Sequence, residues 1–124
     1  MDYSQLFEPD DRRYYDILNQ FLIEPAQKLV IGTLKERYSF TKYRLTKTFT
    51  TLNNDLLTLG GEHPPYIDEE VSGLWHANHL TTLAVQLIGL AYLQRSSLTP
   101  IFEYHYFYTN LMTKIEFMDV SRIV

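Results

Sequence analysis

The stretch Ile31-Gly32-Thr33-Leu34-Lys35-Glu36-Arg37-Tyr38-Ser39-Phe40-Thr41-Lys42-Tyr43-Arg44-Leu45-Thr46-Lys47-Thr48-Phe49-Thr50-Thr51-Leu52-Asn53-Asn54-Asp55-Leu56 decides the fold. Ile31, Leu34 and Tyr38 share a face at helical spacing and predict a short helix, which Gly32 weakens and no good cap precedes. Ser39-Phe40-Thr41 breaks the run. Thr41 then caps a longer helix, expected over 42–57, in which Leu45, Phe49, Leu52 and Leu56 recur at steps of four, three and four. On a helical wheel those four make one narrow buried stripe. Tyr43, Lys47, Thr50 and Asn54 fall on the opposite side, with Arg44 and Thr46 flanking them. The outward face is therefore basic, aromatic and hydroxyl-rich, with no acid before Asp55.

Charge is distributed unevenly around this stretch. The 124-residue chain carries a formal net charge of −4. Between Pro25 and Asn54, however, six bases (Lys28, Lys35, Arg37, Lys42, Arg44, Lys47) face a single acid, Glu36, while the remainder of the chain is strongly acidic. A concentrated basic block on an acidic body suggests an anionic partner for that block alone. The ordinary alternative is a solvated helix face.

Outward from this centre, an N-terminal helix is expected over Asp10–Leu22, capped by Asp10 or Asp11, with Tyr14, Ile17, Leu18, Phe21 and Leu22 on one face. Pro25 ends it. Tyr3, Leu6 and Phe7 form a small apolar cluster beside it. On the other side, Leu59-Gly60-Gly61-Glu62-His63-Pro64-Pro65 is a loop. Two short strands, 65–68 and 74–77, follow, joined by a turn at Val71-Ser72-Gly73, with Trp75 anchoring the second. The helix expected over Leu80–Gln94 is apolar nearly all round, which makes it internal core or, in the sharper alternative, the seam of a homo-oligomer. Ser97-Leu98-Thr99-Pro100 starts a further helix through the aromatic run Ile101–Tyr108, and Phe117–Val124 reads as a helix cut off in the middle.

The expected fold class is thus mainly α: a winged helix-turn-helix with a small two-stranded wing, followed by two further helices. Its divisions are a DNA-binding unit over 1–78, linking helices over 79–114 and the truncated start of a second helix-turn-helix over 115–124. A helix of this kind fits the major groove of duplex DNA, with its N-terminal half nearest the base edges. Arg44 and Lys47 are candidates for guanine, and Tyr43, Thr46 and Thr50 for thymine methyl groups or phosphate. Lys42, Lys28, Lys35, Arg37, Arg12 and Arg13 are candidates for backbone phosphates. The rival is a winged-helix interaction or dimerisation module whose basic helix faces an acidic protein surface.

Three segments together bear on family. The first is Tyr3-Ser4-Gln5-Leu6-Phe7 with Asp11-Arg12-Arg13 behind it, and the second is the run of Ile31, Leu34, Tyr38, Phe40, Thr41, Leu45, Phe49 and Leu52. The third is Tyr92-Leu93-Gln94-Arg95-Ser96-Ser97-Leu98 continuing to Ile101-Phe102-Glu103, with Phe117–Val124 after it. In these the chain resembles the Mga-type virulence regulators of Gram-positive bacteria, through degenerate motifs that cover essentially its whole length. The resemblance implies a transcriptional activator that binds double-stranded promoter DNA through two winged helix-turn-helix units, with regulatory and oligomerising domains beyond Val124. The chain departs from that pattern at Lys35, where the family has a small residue at the turn. It departs again at Asp68-Glu69-Glu70, three acids on the wing where phosphate contact is disfavoured.

Other chemistries find little purchase. The absence of cysteine removes disulfide scaffolds and thiolate zinc sites. His63, His76 and His79 lack a fourth ligand and read as surface decoration. Gly60-Gly61 lacks the Lys-Ser/Thr of a phosphate loop, and no hydrolase, kinase or zinc-protease motif is present. No enzyme activity and no cofactor are expected. Met1 is followed by acids rather than a basic leader, and the stretch 77–94, which lacks Asp, Glu, Lys and Arg, is densely apolar only over 83–93 and too polar for a membrane span, so a cytoplasmic protein with no membrane partner is expected.

Overall fold

Pro9 occupies the first helical position of α1 (Pro9–Ile23), where its missing N–H costs nothing. The computed structural model describes residues 3–96 of the chain. Glu8, not Asp10 or Asp11, is the N-cap residue, and it makes no side-chain capping bond. The two aspartates instead stand in the first turn, favourably placed for the helix dipole and for pairing elsewhere. Tyr14, Ile17, Leu18 and Phe21 are buried along one side. Glu24 is extended, as the residue before Pro25 must be, and the helix stops there.

A short strand not expected from the sequence comes next, β1 (Lys28–Val30), so the sheet has three strands rather than two. The other two are β2 (Tyr66–Glu70), which starts one residue later and ends two residues later than expected, and β3 (Leu74–Asn78), which runs one residue past its expected end. All pairings are antiparallel in the order β1-β3-β2, with Leu29 opposite Trp75 and Ile67 opposite Ala77. Those four side chains are buried on the inner face. Gly73 turns the hairpin with φ of 83°, and its carbonyl accepts the N–H of Ile31 at 3.0 Å, fastening the hairpin to the helix that follows β1.

That helix is α2 (Ile31–Tyr38), and α3 (Lys42–Leu57) lies beyond a three-residue break. Ser39 makes the break in the left-handed region, φ 53° and ψ 41°, and the amides of Ser39 and Phe40 both bond back to the Lys35 carbonyl. Thr41 caps α3 as expected, its hydroxyl accepting the Arg44 N–H at 3.1 Å. Leu52 and Leu56 are fully buried and Leu45 and Phe49 partly so. Thr48 is buried beside them, widening the inward stripe beyond the four apolar positions.

α4 (Thr82–Gln94) begins two residues later than its apolar pattern suggests, because Thr81 caps it by accepting the Ala84 N–H at 3.1 Å. Ala84, Val85, Ile88, Tyr92 and Leu93 enter the same core as α1, α3 and the sheet. Gly89 allows the close approach to α1: a β-carbon there would lie 2.7 Å from the Tyr15 ring. Phe7 seats edge-on against both Tyr15 and Tyr92, at ring-centroid distances of 5.2 and 5.7 Å. The described residues are thus mainly helical, with four α-helices and one small antiparallel sheet. None of these helices is long and apolar enough to cross a membrane. The expected helix from Ser97, the aromatic run 101–108 and the segment 117–124 lie outside the described residues, as do the linking and second helix-turn-helix divisions for the most part.

Candidate nucleic-acid interface

Burial of Thr48, Leu52 and Leu56 leaves the opposite side of α3 to solvent. Lys42, Tyr43, Thr46, Lys47, Thr50 and Asn54 are all exposed, Tyr43 at 71%. The Thr46 hydroxyl donates to the Lys42 carbonyl at 3.0 Å. Asp55, the one acid of α3, does not join this face. Its carboxylate accepts the Tyr92 hydroxyl at 2.7 Å and lies 3.9 Å from the Arg95 guanidinium. The outward face of α3 therefore carries two lysines and no carboxylate.

Arg44 sits apart from that face. It is half-buried on the α1 flank, with a terminal nitrogen donating to Asp10 Oδ1 at 3.1 Å. Arg13 donates to the same oxygen. The Arg13 bond, aided by Arg44 and opposed only by partial desolvation, holds the Asp10 carboxyl below the ordinary carboxylate range. The structure thus unites Arg13 with Arg44, and leaves Arg12 exposed beside them on α1.

The other basic candidates are scattered. Lys35 and Arg37 are exposed in the last turn of α2, where cations also complement the helix dipole. The Arg37 guanidinium stands 5.7 Å from the Tyr38 ring centre. Lys28 alternates with buried Leu29 and so points to the sheet face away from the core. There it pairs with Glu70 at 3.3 Å, and His76 lies 3.9 Å from the same carboxylate. Part of the acidity of β2 is in this way neutralised from within the sheet, and Asp68 accepts from Asn78 at 3.0 Å. His63 and His79 face each other with ring centres 5.6 Å apart. Among the described residues, no group of three His, Asp or Glu side chains is placed to hold a metal ion.

Two polar clamps that orient α3 escape any reading of local pattern. Asn53 bonds both backbone groups of Ile67, accepting its N–H at 2.7 Å and donating to its carbonyl at 3.1 Å, and so ties α3 to β2. At the other flank, Arg95 donates to both oxygens of the buried Asp11, with Nε at 2.7 Å, and its guanidinium lies 4.4 Å from the Tyr92 ring centre. Burial first, then the hydrogen bond to Asp55, raises the Tyr92 phenol well above the usual tyrosine range. The residues involved are 84 positions apart for Asp11 and Arg95 and 37 for Tyr92 and Asp55, distances at which no spacing signal exists. Comparison with family models, with curated proteins and with solved structures finds no match to this chain.

Proposed function

We propose that residues 3–96 form a winged helix-turn-helix that binds duplex DNA with α3 in the major groove, as the N-terminal part of a transcriptional regulator of the Mga type. The observation that carries the reading is the acid-free outward face of α3, where Lys42, Tyr43, Thr46, Lys47 and Thr50 project from a helix clamped at both flanks. A groove about 12 Å wide admits one such helix, and rigid mounting keeps its side chains in register with the bases. The element order supports the same reading: helix, strand, two helices across a tight break, then a hairpin that pairs with the first strand.

Within this reading Lys47, Tyr43 and Thr50 lie closest to base edges, while Lys42, Lys35, Arg37 and Arg12 meet phosphates. Lys28 is held by Glu70 on the far side of the sheet and contributes least. The test is fluorescence anisotropy of the chain with random-sequence duplex DNA over a range of salt. Binding should weaken with salt, and Lys42→Ala/Lys47→Ala should flatten the log–log slope by about 0.9 for each phosphate that is no longer neutralised. Duplex DNA that fails to bind even at low salt, while an acidic protein surface binds and is released by the same double substitution, would replace this reading with the interaction-module one.

A further inference from the structure

The first turns of α1 and α3 meet at one carboxylate. Asp10 Oδ1 receives the guanidinium groups of both Arg13 and Arg44, one from each helix. The three side chains are 47%, 37% and 37% exposed for Asp10, Arg13 and Arg44, so the cluster is open to solvent. Two guanidiniums converging on one anionic oxygen is how proteins hold phosphate. A carboxylate and a backbone phosphodiester also carry the same single negative charge. Arg44 stands in the first turn of α3, beside exposed Lys42 and Tyr43, at the end of the helix that comes nearest the duplex in the reading proposed above.

We infer that Asp10 is an internal competitor for backbone phosphate: it occupies the Arg13–Arg44 pair and so lowers the affinity of this face for DNA of arbitrary sequence. This inference rests on the duplex-DNA reading. The sequence-independent part of DNA binding is set by how many phosphates are neutralised, whereas base contacts are not. Withholding two arginines from phosphate therefore weakens binding to every sequence alike and leaves the discrimination made by Lys47, Tyr43 and Thr50 a larger share of the total. The arrangement also explains why two like charges are brought together at all. Without the carboxylate between them, Arg13 and Arg44 would repel across the α1–α3 junction.

The test uses the whole chain, random-sequence duplex DNA and anisotropy across a salt series, with circular dichroism to show that each variant is folded. Asp10→Asn should bind about tenfold more tightly than wild type at roughly 50 mM salt, with a slope steeper by about 0.9 for each additional phosphate neutralised. Adding Arg13→Gln and Arg44→Gln to Asp10→Asn should abolish that gain. In the otherwise unchanged chain, Arg13→Gln/Arg44→Gln should leave affinity within about twofold, because those arginines are already engaged. The inference is overturned by Asp10→Asn binding no more tightly than wild type, by a gain that survives loss of both arginines, or by a large drop in the double-arginine variant. Wild type that binds, and loses binding on Lys42→Ala/Lys47→Ala while Asp10→Asn changes nothing, removes the inference alone. Silence from every variant removes the DNA reading and the inference with it.

Discussion

Tyr92 and Tyr38 show how a single polar atom is placed once its surroundings are packed. Tyr92 is fully buried, and its hydroxyl donates to the Asp55 carboxylate at 2.7 Å. Tyr38 is half-buried and donates to Asp16 at 3.1 Å; burial first, and Asp16 second, pushes its phenol up to about 12. Both groups hold their proton more tightly in the folded chain than in the unfolded one, where tyrosine titrates near the ordinary value of 10.0. Their contribution to stability is therefore complete below about pH 10 and is lost as pH rises through the folded-state values. Urea midpoints measured from neutral to strongly alkaline pH should fall above about pH 10 in wild type. Tyr38→Phe and Tyr92→Phe should each make that fall shallower, and an unchanged alkaline slope in both would contradict the assignment. Tyrosine content alone says nothing of this, because the shift belongs to what surrounds each hydroxyl.

α3 is mounted by different means on its two sides. Toward the sheet, Asn53 replaces a strand partner by bonding both the N–H and the carbonyl of Ile67, and Phe49 meets Trp75 at a ring-centre distance of 5.4 Å. Asn53→Ala leaves both backbone groups of a buried residue without that partner and should cost about 1–3 kcal/mol, read as a lower urea midpoint at unchanged slope. If α3 binds duplex DNA as proposed, the same substitution should weaken that binding less than Lys47→Ala does in chains that remain folded, since it loosens the mount and leaves the outward side chains of α3 in place. The helices themselves were legible from periodicity: the stripe Leu45, Phe49, Leu52, Leu56 and the Thr41 cap mark α3 within the sequence. β1 was not legible. A strand of three residues has too few positions to show alternation, and its partner Leu74–His76 lies far along the chain. The N-cap of α1 is not legible in the sequence either: two aspartates beside a helical pattern resemble a capping signal, whereas Pro9 starts the helix ahead of both.

Over the whole molecule, Arg95 closes the described chain onto its beginning. It binds the buried Asp11 of α1 through both carboxylate oxygens, approaches Asp55 of α3 and covers the Tyr92 ring of its own helix, so three helices share one cation. Arg95 itself is half-exposed and screened by solvent, while Asp11 is only 6% exposed, so the penalty of losing the pair falls on the carboxylate left behind. Arg95→Met should cost about 1–3 kcal/mol. Adding Asp11→Asn should recover part of that loss, and strictly additive costs in the double variant would deny the coupling. What the sequence determined by itself is whatever repeats over a turn or alternates over a strand: three long helices, the hairpin, the inward stripe of α3 and the basic character of its outer side. The tertiary structure alone decided which charges remain on offer. It turned Asp55 inward, tied Arg44 to Asp10 and Lys28 to Glu70, and left Lys42 and Lys47 outward. Local pattern reports the direction a side chain leaves its own helix, whereas the strength of an ion pair depends on the separation and burial of groups that only folding brings together.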